Sequence, residues 1–459
     1  MMKKYIAWLA VILILALGAV IATAAIWLWS AGEAEWTTCS NAAHKELDLG
    51  LDDFERYYLG DAVAHFQRAI DLDPEFAAAK VFLSDQHPSS EVRKRLLAEL
   101  REVDPDALTP RERFLVSYWV ARHSDEGAKA REILASFLEQ YPDDLFGMRA
   151  NCQVAWVEQN WTEAERCYVR GIELYPNWVR AQNRLGYIAM AQGRFTEAEE
   201  HFRTYRYIAP DQANPHDSLG ELLTTLGRYE EAEAEFREAI RIREDFCPAY
   251  EHLLTLYVFA GRVEEIGELL QQIEALDSCA ELTERGLVCG GRASMAYLRG
   301  DLEGAWQLIE GECLERLGID LMAHRLAVMT AHLAAAEEME ATLREVLARE
   351  IDRGHLAHAD HVRAALLHAK AVRLLAEGEF PAATQRLFEA DKLLKYWTAD
   401  RASFKLLNRL TLVYALRLEG KTRKAKAMIK KLEAVNPHFA TQARLPDMEA
   451  LLEAQKTGP

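Results

Sequence analysis

The sequence predicts an all-α protein, hairpins of helices stacked as a solenoid behind one N-terminal transmembrane helix. Three observations lead there. The segment LGRYEEAEAEFREAI (226–240) has counterparts in QNWTEAERCY, QGRFTEAEEHF and AGRVEEIGELL, beginning at Gln159, Gln192 and Ala260; their turn positions, Asn160, Gly193, Gly227 and Gly261, recur at steps of about 34 residues. Ala, Leu, Glu and Arg dominate and long alternating runs of Val, Ile and Thr are missing, which favours helix over sheet. Tyr5 to Trp29 is an apolar or small-residue run without a charge.

That run is the first element. At ~1.5 Å per residue it is long enough for a hydrocarbon core of ~30 Å. Tyr5 and Trp8 at one end, and Trp27, Trp29 and Trp36 at the other, suit interfacial anchoring. Lys3 and Lys4 precede the run and Glu33 and Glu35 follow it, so the positive-inside rule sets residues 1–30 as a cytoplasmic stub and anchor in the inner membrane and sends the remainder to the periplasm. ATA at 22–24 is a tolerable signal-peptide cleavage site, but the apolar run continues past it. Residues 31–42 read as a linker.

Residues 43–280 divide into seven 34-residue windows starting at Ala43, Ala77, Arg111, Leu145, Val179, Ala213 and Cys247. The eighth position is often small (Gly50, Ser84, Cys152, Gly186, Gly220), as is the twentieth (Ala62, Ala130, Ala164, Ala198, Ala232), whereas the twenty-fourth is Leu or aromatic (Phe66, Leu100, Leu134, Tyr168, Phe202, Phe236, Leu270). Small residues let two antiparallel helices approach closely and the large one fills the space beyond. Glycine ends the first helix in a left-handed cap, and Pro74, Pro142, Pro176 and Pro210 end the second. Each hairpin leaves an apolar face that only the next can cover, so the register is held. The second window, with QHPSSEVRKRLLAEL, lacks the glycine and the aromatic and reads as irregular; the seventh, with Leu254 and Ile266, is bulky.

This pattern resembles the tetratricopeptide repeat family, most closely in WVRAQNRLGYIAMAQGRFTEAEEHFRTYRYIAP (178–210) and HDSLGELLTTLGRYEEAEAEFREAI (216–240). The resemblance implies a right-handed superhelix that binds protein or peptide partners on its concave side. Carried over position by position, that wall contains Phe146, Arg149, Gln153 and Trp156, then Arg180, Asn183, Tyr187 and Met190, then Asn214, Asp217, Glu221 and Thr224. Arg149, Arg180, Asn183 and Gln153 beside Trp156 and Tyr187 would form a polar, cationic stripe suited to an extended peptide. Residues 108–144 are also similar to the tetratricopeptide sensor halves of bacterial signalling proteins.

Residues 281–459 read as looser hairpins continuing the same solenoid, at 297–309, 331–347, 374–394 and 416–437, with a short capping helix after Pro437. The seven cysteines contain no CxxC pair, and most lie in helical pattern, where Cys acts as a small apolar filler; pairing is the alternative in an oxidising compartment. His358, His361 and His368 share a helix face, with His355 nearby, but nothing supplies a convergent fourth ligand. No HExxH, P-loop or GxGxxG occurs, so the expectation is a protein that is not an enzyme and takes no metal or cofactor. The formal charge is −18, yet Lys392, Lys395, Arg401, Lys405, Arg409, Arg417, Lys421, Arg423, Lys424, Lys426, Lys430 and Lys431 are nearly unbroken by acids, a surface for anionic lipid, an acidic partner or a second copy of the chain; no nucleic-acid reader motif accompanies it. The function expected is a membrane-anchored scaffold or adaptor for assembly or regulation of an envelope complex. The alternative is a cytoplasm-facing regulator of a signalling or membrane-biogenesis enzyme.

Overall fold

Glycine at the eighth position of a window lets a phenylalanine ring lie against bare backbone, and this interlock builds the hairpins. In the computed structural model a Cβ on Gly50, Gly186 or Gly220 would fall 2.5 Å from the ring of Phe66, Phe202 or Phe236, each sixteen residues further on. The structure describes residues 35–457 except 125, 285 and 315–320. Among them there is helix but no strand. The predicted membrane span, Tyr5 to Trp29, lies outside them; no helix among the described residues is long and apolar enough to cross a membrane.

Two compact units result, Met1–Asn151 and Cys152–Pro459. In the first, the hairpins are Asn41–Glu55 with Leu59–Leu72, Ala77–Gln86 with Ser90–Arg101, and Pro110–Arg122 with Gly127–Gln140. The side chains of Ser40 and Thr109 cap two of these helices by accepting from the amides of Ala43 and Glu112. The described part of the segment that sequence assigns to a linker, from residue 35 on, is strapped down. The Thr37 amide donates to Glu112 at 2.7 Å, the Thr38 hydroxyl donates to Asp73, and Glu35 pairs with Arg111. Trp36 is therefore no interfacial anchor: it is 4% exposed, packed edge-on against Phe76 and Phe146.

In the second unit the first helices of successive hairpins, Val179–Ala191, Ala213–Thr225 and Cys247–Ala260, begin 34 residues apart, as the windows do. The turn positions need one correction. The residue equivalent to Gly193, Gly227 and Gly261, all with positive φ, is Gln159 (φ 54°), not Asn160; Asn160 caps the Trp161–Leu174 helix by accepting from the Glu163 amide. The arginine after each glycine reaches back to a glutamate on the preceding hairpin: Arg194 to Glu165 at 2.8 Å, Arg228 to Glu199 at 2.8 Å, Arg262 to Glu233 at 2.6 Å. Each pair is half-exposed and worth little alone, but the repetition fixes hairpin-to-hairpin register.

The C-terminal hairpins do not simply extend the stack. Leu356–Ala376 with Phe380–Leu393, and Ala399–Leu418 with Thr422–Glu433, bring the segments around residues 394–398 and 434–442 back onto the row of turns. The Trp397 amide donates to the Ala191 carbonyl at 2.9 Å, and its ring lies edge-on to Phe195. The Asn436 amide donates to the Thr224 carbonyl and the Tyr229 hydroxyl, and its side chain occupies the space beside Gly227 where any Cβ would sit. Phe439 packs on Phe259 next to Gly261. The expected capping helix, Pro446–Thr457, is anchored by a buried cluster: Asp447 accepts from Arg325 Nε at 2.7 Å and from the Tyr297 hydroxyl, and Arg325 also donates to Thr411.

Six of the seven cysteines are not fillers but disulfide partners: Cys152–Cys167, Cys247–Cys279 and Cys289–Cys313; Cys39 is free and exposed. In the first, Cys152 takes the eighth position held by glycine in sister hairpins and bonds to Cys167, the neighbour of Tyr168, which keeps the ring position.

Candidate functional site

The predicted wall does not stay a uniform cationic stripe. In the first unit Phe146 is half-buried, with the guanidinium groups of Arg111 and Arg149 at 5.2 and 5.5 Å from its ring centre and Trp36 against its edge. Arg149 is ion-paired with Glu55 at 3.0 Å. This part of the wall is filled by the chain's own Trp36.

In the second unit, Asn183, predicted to face the groove, is 1% exposed and donates to Ser218 Oγ at 2.8 Å. Tyr187 lies one turn on; its hydroxyl contacts Ser218 and donates to Glu221. Burial, reinforced by the negative charge of Glu221, pushes the Tyr187 phenol well above its ordinary pKa, so it serves as a donor. Beyond it, His252 stands between two carboxylates, Nδ1 2.8 Å from Asp217 and Nε2 3.4 Å from Glu221. Desolvation works against charge on the imidazole, but Asp217 and Glu221 outweigh it and raise its pKa to about 10. The site therefore holds an imidazolium at neutral pH. Asp217, Glu221 and His252 are also the described residues whose potential metal-ligand atoms converge; both imidazole nitrogens face carboxylates, which satisfies the set internally. Sequence reading named Asp217 and Glu221 but missed Ser218 and His252, which sit one position off the inward-facing rows.

Gln153, Trp156 and Arg180 remain half-buried. Trp156 carries the Arg184 guanidinium at 4.5 Å from its ring centre and meets Trp161 edge-on. Arg184, also off the expected rows, was not anticipated. Arg401, counted with the basic surface, is instead buried against this end of the repeats and donates to Gln159 at 3.3 Å.

The basic stretch as a whole divides. Lys405 is buried under Trp397 with its ammonium 4.3 Å from the ring, and burial lowers its pKa to about 8. Arg409 pairs with Asp391 at 2.7 Å. Arg423, Lys424, Lys426, Lys430 and Lys431 stay exposed on the Thr422–Glu433 helix. The histidines of 355–368 do not assemble into a ligand set: His361 and His368 both lie edge-on to Phe404, and buried His368 shares a hydrogen bond with Asn408 at 3.0 Å, its pKa lowered to about 3 by desolvation.

Residues 179–245 match the tetratricopeptide repeat model, the stretch where the step of 34, the glycine–phenylalanine interlock and the Arg–Glu register coincide. No curated protein matches the chain by sequence. Among solved structures it is similar to PilW, a widely conserved type IV pilus biogenesis factor, at 14% identity over 42% of this chain and 88% of that one (TM-score 0.36). It is similar to a tetratricopeptide repeat protein from Parabacteroides merdae at 14% identity over 54% and 93% (TM-score 0.39), and to Cut9–Hcn1, a hetero-tetramer of the APC/C, at 13% over 88% and 74% (TM-score 0.49).

Proposed function

We propose that this chain is a membrane-tethered scaffold that binds protein partners through its tetratricopeptide-type hairpins, in assembly or regulation of an envelope complex. The observation that carries the binding reading is the row Gln153, Trp156 and Arg180, which keeps amide, indole and guanidinium groups partly exposed on helices whose other faces are buried. Such groups hold peptide backbone and carboxylates while rings hold side chains. The tether rests on the uncharged run Tyr5 to Trp29. The far side of the membrane is favoured by the three disulfides, which persist in oxidising compartments; this speaks against the cytoplasm-facing regulator.

The test is co-purification of the full-length protein from detergent extracts, wild type against Gln153→Ala/Trp156→Ala/Arg180→Ala, with partners quantified by mass spectrometry. Specific partners are expected to fall at least tenfold in the variant while helical content is unchanged. Equal recovery would remove this wall from the binding surface.

A further inference from the structure

We propose that Glu35 to Thr38 form a displaceable in-cis ligand of the first unit's wall, holding it closed until a partner peptide with the same order of acidic, aromatic and hydroxyl side chains takes their place. This rests on the partner-binding reading above and adds its regulation. The segment is seated residue by residue. Glu35 pairs with Arg111, and the Glu35 carbonyl accepts from the Thr109 hydroxyl at 3.3 Å. The Trp36 ring is buried against Phe76 and Phe146, with the Arg111 guanidinium 5.6 Å from its centre. The Thr37 amide and hydroxyl both donate to Glu112, and the Thr38 hydroxyl donates to Asp73. Arg111 is fixed from its other side by Asp144, Nε to Oδ2 at 2.9 Å. Backbone groups supply the hold and side chains supply the choice, the division of labour by which grooves recognise peptides.

Two independent features mark this occupant as displaceable. Glu112 is 0% exposed, and the hydrogen bonds its carboxylate accepts from Thr37 and Thr109 all end on Oε2. Its Oε1 is buried without a hydrogen-bond partner among the described residues. A buried carboxylate oxygen without a donor is costly, so a peptide bringing one more N–H or O–H fits this seat better than the chain's own segment does. Beside Glu35 lies an open cavity of about 320 Å³, lined by Glu35, Thr109, Arg111, Phe137, Asp144 and the exposed Tyr141. An incoming peptide gains a foothold there, against Arg111, before Trp36 leaves.

Chain continuity sets the balance between the two occupants. Thr38 is followed by Cys39 and then by Ser40, the cap of the Asn41–Glu55 helix. A released segment therefore stays near its seat, at an effective concentration on the order of mM. Weak peptides are excluded, and a partner opens the wall by also filling the cavity or meeting Glu112 Oε1. Phe146, expected from sequence to face a partner, is covered by Trp36 and becomes available to one only when the segment leaves.

The test is to titrate full-length protein in detergent micelles into a fluorescein-labelled peptide of residues 35–41 carrying Cys39→Ser, followed by fluorescence anisotropy. Trp36→Ala protein, whose seat is vacated, is expected to bind the peptide at least tenfold more tightly than wild type. Glu35→Ala/Thr38→Ala, which removes two anchors and leaves the ring in place, should bind it at least threefold more tightly than wild type; this variant decides the matter if Trp36→Ala fails to fold. The same peptide carrying Trp36→Ala should bind none of the three proteins. Partners co-purified with Glu35→Ala/Thr38→Ala should rise at least threefold over wild type. Absence of binding by both variants, equal binding by wild type and both variants, or unchanged partner recovery overturns the proposal. If recovery still falls in Gln153→Ala/Trp156→Ala/Arg180→Ala, the scaffold reading stands without this device.

Discussion

His252 shows how one side chain converts a wall of acids into a stable element. Asp217 and Glu221 face each other across the imidazole, and their charges keep it protonated. The folded pKa of about 10 lies above the ordinary value of ~6.5. The stabilisation is therefore fully present below pH ~6.5, declines as the pH rises, and is gone once it passes about 10. Wild-type Tm should fall from pH 7 to pH 10 more steeply than that of His252→Gln, which should cost about 2 kcal/mol at pH 7 by leaving the carboxylates unopposed. Parallel pH profiles of Tm for the two proteins, from thermal melts, would contradict this reading. Asp217 and Glu221 were legible because they fall on the family's inward-facing rows. His252, Ser218 and Arg184 lie one position off those rows, where helix packing angles rather than sequence spacing decide what faces inward.

Hairpins are governed by interlocks that sequence displays openly. Gly50, Gly186 and Gly220 stand sixteen residues before Phe66, Phe202 and Phe236, and the structure shows why the spacing is kept. Gly220→Ala should cost about 2 kcal/mol by driving a methyl into the Phe236 ring, whereas Gly60→Ala, which meets nothing within 4 Å, should be neutral within ~0.5 kcal/mol. Urea titration of both variants checks the contrast, and equal losses would contradict it. The Arg–Glu register was equally visible in the GR dipeptides of QGRF, LGRY and AGRV but becomes meaningful only when adjacent hairpins are placed together. What sequence could not show was the return of the C-terminal half. Trp397 and Asn436 sit in irregular segments, and their partners are the Ala191 and Thr224 carbonyls, backbone groups that carry no sequence signature.

For the molecule as a whole, helical class and hairpin spacing were legible because one buried pattern repeats. Cysteine pairing was not, because helical Cys at unrelated spacings reads equally as filler until the chain is folded. Pairing bears on the central claim, a repeat scaffold displayed in an oxidising compartment beyond the membrane that Tyr5 to Trp29 is proposed to span. Each disulfide also stabilises its unit: for a loop like that closed by Cys152–Cys167, separation 15, the contribution is about 3 kcal/mol. The most direct measurement is the count of alkylatable thiols in full-length protein expressed in its own cells, acid-quenched and denatured without reductant. The account predicts one thiol, Cys39, among the seven cysteines, rising to seven after reduction. Seven thiols before reduction would place the repeats in a reducing compartment and contradict it.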